Sequence, residues 1–117
     1  MASIKTGDSG VPLQGVLTDS DGNPADLEGA EVRVLMRRRG DNFQIAADAE
    51  NLQVGDGEDG TKGRVAYTWA EEDTVTDNAG LYFVEWEVTF QEGEVQTFPS
   101  NGWNKVAIVR DNDEEGS

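Results

Sequence analysis

Tyr82, Val84, Trp86, Val88 and Phe90 place large apolar side chains at five successive alternate positions. Successive side chains of an extended chain point to opposite faces, so a period of two marks a strand with one buried face. The intervening Leu81, Phe83, Glu85, Glu87 and Thr89 begin apolar and turn acidic, which leaves the second face mostly in water. A sheet that is dry on one side and wet on the other is typically antiparallel.

The same alternation recurs along the chain. Leu13, Gly15 and Leu17 share a face ahead of the turn-forming run Asp19-Ser20-Asp21-Gly22-Asn23-Pro24, and Val32, Val34 and Met36 alternate with Glu31, Arg33, Leu35 and Arg37. This reads as strand, turn, strand. Residues 43–54 fit either a strand through Phe43, Ile45 and Ala47 or a single helical turn. The Gly- and Asp-rich run 55–63 is a loop, Val65, Tyr67 and Trp69 resume the alternation, and Val106 and Ile108 mark a last strand. About seven short strands with turn signals roughly every 8 to 12 residues, and no convincing helix, predict an all-β sandwich, with an OB-like barrel as the structural rival. The expected core is Val34, Val65, Tyr67, Trp69, Tyr82, Val84, Trp86 and Val88.

The 117 residues suit one domain, placed at 1–110 and followed by an acidic tail at 111–117. The chain has no Cys and no His, which removes disulfides, thiol nucleophiles, imidazole bases and the usual zinc ligands together. With no motif-supported Ser nucleophile either, the expectation is a protein that is not an enzyme and needs no cofactor. No apolar run approaches the roughly 20 residues that span a bilayer, and the first ten residues lack the basic and apolar segments of a signal peptide, so the expected place of synthesis is the cytoplasm, with no membrane partner.

Asp and Glu number 24 against 9 Lys and Arg, a net charge of −15, and self-repulsion of that size opposes contact with nucleic acid. The acid is scattered over loops and strand faces, and only Lys5, Lys62 and Lys105 are lysine. That pattern suits a high-salt host, where repulsion is screened within about 3 Å at 1 M salt.

Few residues offer chemistry. Asp19, Asp21 and Asn23 resemble the opening of a calcium loop, but Gly22 stands at its fourth position and Pro24 where the glycine belongs, so a turn explains them better. A calcium- or carbohydrate-binding surface module remains an alternative on this feature. Glu71, Glu72 and Asp73 are adjacent and face different ways, which makes them surface charge. Arg39-Gly40-Asp41 matches the integrin tripeptide, a pattern too short to carry function. Arg and aromatic side chains anchor protein interfaces, so the candidate contacts are Arg37, Arg38, Arg39, Phe83, Phe98 and Trp103.

Asp77, Ala79, Gly80 and Tyr82 resemble the tyrosine corner of immunoglobulin-like domains, in which a Tyr hydroxyl bonds upstream backbone. The order of features extends the resemblance. Leu17, Asp19, Asp21, Gly22, Pro24, Leu27, Gly29, Ala30 and Val32 form one block, Gly63, Val65, Tyr67 and Trp69 a second. Asp77 to Val88 and then Thr97, Phe98 and Pro99 complete it. Over roughly residues 4–109 the chain resembles the immunoglobulin-like domain found at the N-terminus of phage baseplate upper proteins and in small virion proteins of tailed viruses. The resemblance implies a single immunoglobulin-like antiparallel β-sandwich in a virion, a structural part acting on other virion proteins in a homo-oligomeric ring or lattice. With the acidic composition it implies a tailed virus of haloarchaea. The resemblance points to the tail, whereas baseplate upper proteins continue into a further region and this sequence stops at Ser117, which points away from it; the expected role is a tail or baseplate adaptor, with capsid-surface decoration or capsid stabilisation as the alternative.

Overall fold

The computed structural model describes residues 2–5, 12–41, 43–74, 76–99 and 105–109. Its strands are β1 (Ala2–Lys5), β2 (Leu13–Val16), β3 (Glu31–Arg38), β4 (Gln44–Asn51), β5 (Arg64–Tyr67), β6 (Gly80–Thr89), β7 (Val95–Pro99) and β8 (Lys105–Val109). The stretch that fits either strand or helical turn is the strand β4. Short 3-10 turns occur instead at Glu71–Thr74 and Thr76–Asn78, between β5 and β6.

The chain is all-β, and its strands form one curled sheet, a half-barrel ordered β1-β8-β6-β3-β4-β5-β2. β7 lies beside β8 along the same edge of β6. Among the described residues every pairing of strands is antiparallel except β1 with β8, which run parallel. A sandwich has two separate sheets. Here β4 joins the two halves, pairing with β3 through Ala49 and then with β5 through Glu50 and Asn51.

Two side-chain amides hold this corner. Asn51 Nδ2 donates to the carbonyls of Leu27, at 2.6 Å, and Ala30, at 3.1 Å. Gln53 Oε1 accepts from the backbone N–H of Leu27, at 2.7 Å, and of Gly63, at 3.2 Å. The link between β2 and β3 is thereby fastened to the end of β4, and buried backbone groups that the sheet ladder leaves unpaired find partners.

The turn at 19–24 forms, but it does not join hairpin partners. It closes through a single bridge between Thr18 and Pro24, while β2 pairs with β5 and β3 lies between β4 and β6. Gly63 makes the actual approach possible. Its φ is +76°, and a Cβ there would stand 2.7 Å from the Leu17 carbonyl oxygen, which only glycine avoids.

The concave face holds the core. Tyr82, Val84, Trp86 and Val88 of β6 are buried against Val32, Val34 and Met36 of β3, and Leu17, Leu27, Val65, Tyr67 and Trp69 close the other side. All eight expected core residues are buried. Phe90, the last of the alternating set, is half-buried and meets Phe98 edge-on at 6.4 Å. The Trp86 indole N–H has no acceptor among the described residues.

Asp73 departs from its expected place at the surface. It is only 7% exposed, and its Oδ2 accepts from the Tyr67 hydroxyl and, at 2.9 Å, from the Ala70 N–H. The carboxylate caps the first 3-10 turn from inside the fold, and Glu71 and Glu72 face solvent. Burial, and next the hydrogen bond to Asp73, raise the pKa of the Tyr67 hydroxyl and keep it a donor.

Candidate interaction surface

The convex face of the sheet is laid out in rows, because residues directly opposite one another on neighbouring strands share a face. One row is Asp48, Arg33 and Glu87, with Arg33 3.9 Å from each carboxylate. These are exposed pairs that contribute little to stability. The next row is Ala46, Leu35 and Glu85. The third is Gln44, Arg37, Phe83 and Lys105, across β4, β3, β6 and β8.

That third row differs from the rest of an acidic surface. Phe83 is 42% exposed, Arg37 and Lys105 are exposed, and the Lys105 ammonium stands 5.8 Å over the Phe83 ring. Among the described residues neither Arg37 nor Lys105 lies within ion-pair distance of a carboxylate. Leu81 and Ala107, paired beyond Phe83, extend the row with two half-exposed apolar groups.

The three arginines have separate fates. Arg37 and Arg39 are exposed, whereas Arg38 belongs to the fold. Its guanidinium engages Asp41 Oδ2 at 2.7 Å, donates to the Asp77 carbonyl at 2.8 Å and lies 4.9 Å over the Phe43 ring. The hydrogen bonds from Arg38 and then from the Phe43 N–H hold the Asp41 carboxyl below its ordinary pKa. The Arg38 stem crosses Gly80, where a Cβ would stand 2.7 Å from Cδ. Next to it the Tyr82 hydroxyl donates to the Asn78 carbonyl at 2.7 Å, the geometry of a tyrosine corner. Asp41 of the tripeptide is thus held by Arg38. Phe98 is buried, with 5% exposure, and serves the core; Trp103 lies outside the described residues.

The opposite end of β6 is acidic. The turn at 91–94 and the Glu28-Gly29 turn meet there, with Gly29 against the Gln91 side chain. Between them runs an open groove of about 360 Å³, lined by Phe90, Asp26, Glu28, Glu92 and Glu94 among others. Asp26 Oδ1 accepts from Gln53 Nε2 at 2.8 Å, and that bond first, then one from the Glu28 N–H, lower its pKa.

The acidic loops hold their own backbone. Asp19 Oδ1 accepts from the N–H groups of Asp21 and Asn23, at 2.9 and 3.0 Å, and Asp59 Oδ1 accepts from Thr61. Among the described residues no group of three or more carboxylates is placed to hold a metal ion, and no helix is long and apolar enough to cross a membrane. The sequence patterns did not reveal the separate role of Arg38, the buried Asp73 or the stitching amides of Asn51 and Gln53. Strand alternation was the one available signal for Arg38, since it sets that residue on the face opposite Arg37 and Arg39.

Comparison with protein families, with curated proteins and with solved structures finds no match to this chain.

Proposed function

We propose that this protein is a non-enzymatic structural component of a tailed virus particle, acting through protein–protein contacts as a tail or baseplate adaptor. The observation that carries the reading is the Arg37–Phe83–Lys105 row, cations and an aromatic left without carboxylate partners among the described residues of a chain of net charge −15. Such a convex, mixed surface suits another protein better than a small molecule, whose sites are concave.

The immunoglobulin-like affiliation is part of the proposal. Its supports are the Tyr82–Asn78 hydrogen bond and the placing of β8, β6 and β3 as neighbours, with β1 added in parallel to β8. On this reading β2 and β5 form the second layer and β4 bridges the layers. The composition adds a haloarchaeal host, because scattered acid with little lysine suits high salt.

The deciding experiment is quantitative mass spectrometry of purified virus particles carrying this chain. A count of roughly 3 to 12 copies per particle is expected for an adaptor ring. Hundreds of copies would replace the adaptor with capsid decoration, and absence from the particles would overturn the virion reading altogether.

A further inference from the structure

We infer that the Arg37–Phe83–Lys105 row docks a second copy of this chain, which presents its acidic groove, so that copies join head to tail. The inference deepens the assembly reading above by naming the two surfaces and the contact. It rests on that reading only for the biological setting, since the complementarity lies within the isolated chain.

The row carries two positive charges and no negative one, with Phe83 between them. The groove carries the carboxylates of Glu28, Glu92 and Glu94, with Phe90 in its lining. Both therefore combine an aromatic ring with charge, and the charges are opposite. In one molecule they cannot meet. From Phe83 to Thr89 the strand covers about 20 Å, and the groove lies beyond that end. Between two molecules they can, one copy presenting its convex face and the other the groove at the far end of its β6.

Charge also excludes the symmetric alternatives. Two rows placed face to face would oppose four cations across a contact that removes water, and two grooves placed face to face would oppose their carboxylates. Only row to groove pairs opposite signs. A contact between different surfaces of identical chains is heterologous, and repeating it yields a closed ring or an open filament according to the rotation at each step. The like-signed net charge of −15 per copy opposes every approach at low ionic strength, and salt screens that long-range term more strongly than the short contact.

The test is sedimentation velocity of the full chain in about 1 M and then about 3 M sodium chloride over a hundredfold range of concentration. Reversible association that continues beyond the dimer is expected. R37E/K105E and, separately, E92K/E94K should each weaken it about tenfold, while the melting temperature and far-ultraviolet circular dichroism stay unchanged because all four side chains are exposed. Mixing the two variants should restore association, since each then offers the other two complementary contacts, and so should joining all four substitutions in one chain. A parent protein that stays monomeric throughout, a dimer indifferent to E92K/E94K, or a mixture no more associated than either variant alone would each overturn the inference. None of these outcomes touches the presence of the chain in virus particles, which the mass spectrometry decides by itself.

Discussion

Removing the Tyr67 hydroxyl and the Asp73 carboxylate, singly and together, measures the buried contact that fastens the β5–β6 connection to the core. Tyr67 and Asp73 are 5% and 7% exposed, so solvent replaces little of what either loses. A hydrogen bond to a charged partner is worth about 1.5–3 kcal/mol, and Tyr67→Phe should cost that much. Asp73→Ala strands two donors, the Tyr67 hydroxyl and the Ala70 N–H, and should cost about 2–5 kcal/mol. In the double variant the hydroxyl is no longer there to be stranded, so its cost should fall short of the sum by about 1–3 kcal/mol. Urea unfolding at one fixed salt concentration gives all four stabilities, with the slope of the transition as a check that the unfolded state is unchanged. Additivity within about 0.3 kcal/mol would refute the coupling and return Asp73 to the surface.

The same pair sets an alkaline limit. Folding raises the Tyr67 pKa, so its contribution is fully present below the unfolded value of about 10 and is lost as pH rises beyond it. Titration of stability between about pH 8 and 11.5 should show a fall that is shallower in Tyr67→Phe; the remainder belongs in part to Tyr82, whose pKa burial also raises. Trp86→Phe should cost less than about 1.5 kcal/mol in a urea melt, because the lost volume is offset by removal of an unpartnered indole N–H, whereas Trp86→Ala should cost about 3–5 kcal/mol; equal costs would contradict this. Gly80→Ala should cost about 1–3 kcal/mol in a urea melt, from a φ of +151° and the Arg38 stem across it, and a neutral result would contradict both contributions. The melting temperature should rise from about 0.1 M to 2 M sodium chloride by more than in matched sucrose, which separates screening of the −15 charge from solvent exclusion.

Burial was legible wherever it followed the pleat. Tyr82, Val84, Trp86 and Val88 announce their inward face because strand geometry fixes it residue by residue, and neighbours in sequence suffice to see it. Partner choice was not legible in the same way. Asp19 to Pro24 look like a hairpin between β2 and β3, yet β2 pairs with β5, whose approach depends on Gly63 some forty residues on. The joining of the sheet halves was hidden for a related reason, since it depends on Asn51 and Gln53 bonding backbone more than 20 residues away in sequence. Asp73 stood among acids and shared their composition; only the position of Tyr67 in space distinguishes it. In the candidate contact surface, the alternation of β6 put Phe83 outward, but the flanking of that ring by Arg37 and Lys105 required the register of three strands.

The parallel pairing of β1 with β8 gives the chain a timetable. Ala2 pairs with Val106 and Lys5 with Val109, so the two strands of this pair lie roughly a hundred residues apart along the chain. Closing so long a loop is entropically slow, and the local pairs β3–β4 and β6–β7 can form well before it. During that interval β8 presents an unpaired edge, the kind of edge that recruits strands from other molecules. Crowding of incompletely folded chains would therefore favour exchange of β1 between copies, and the yield of correctly closed protein should depend on how quickly β1 reaches its own β8.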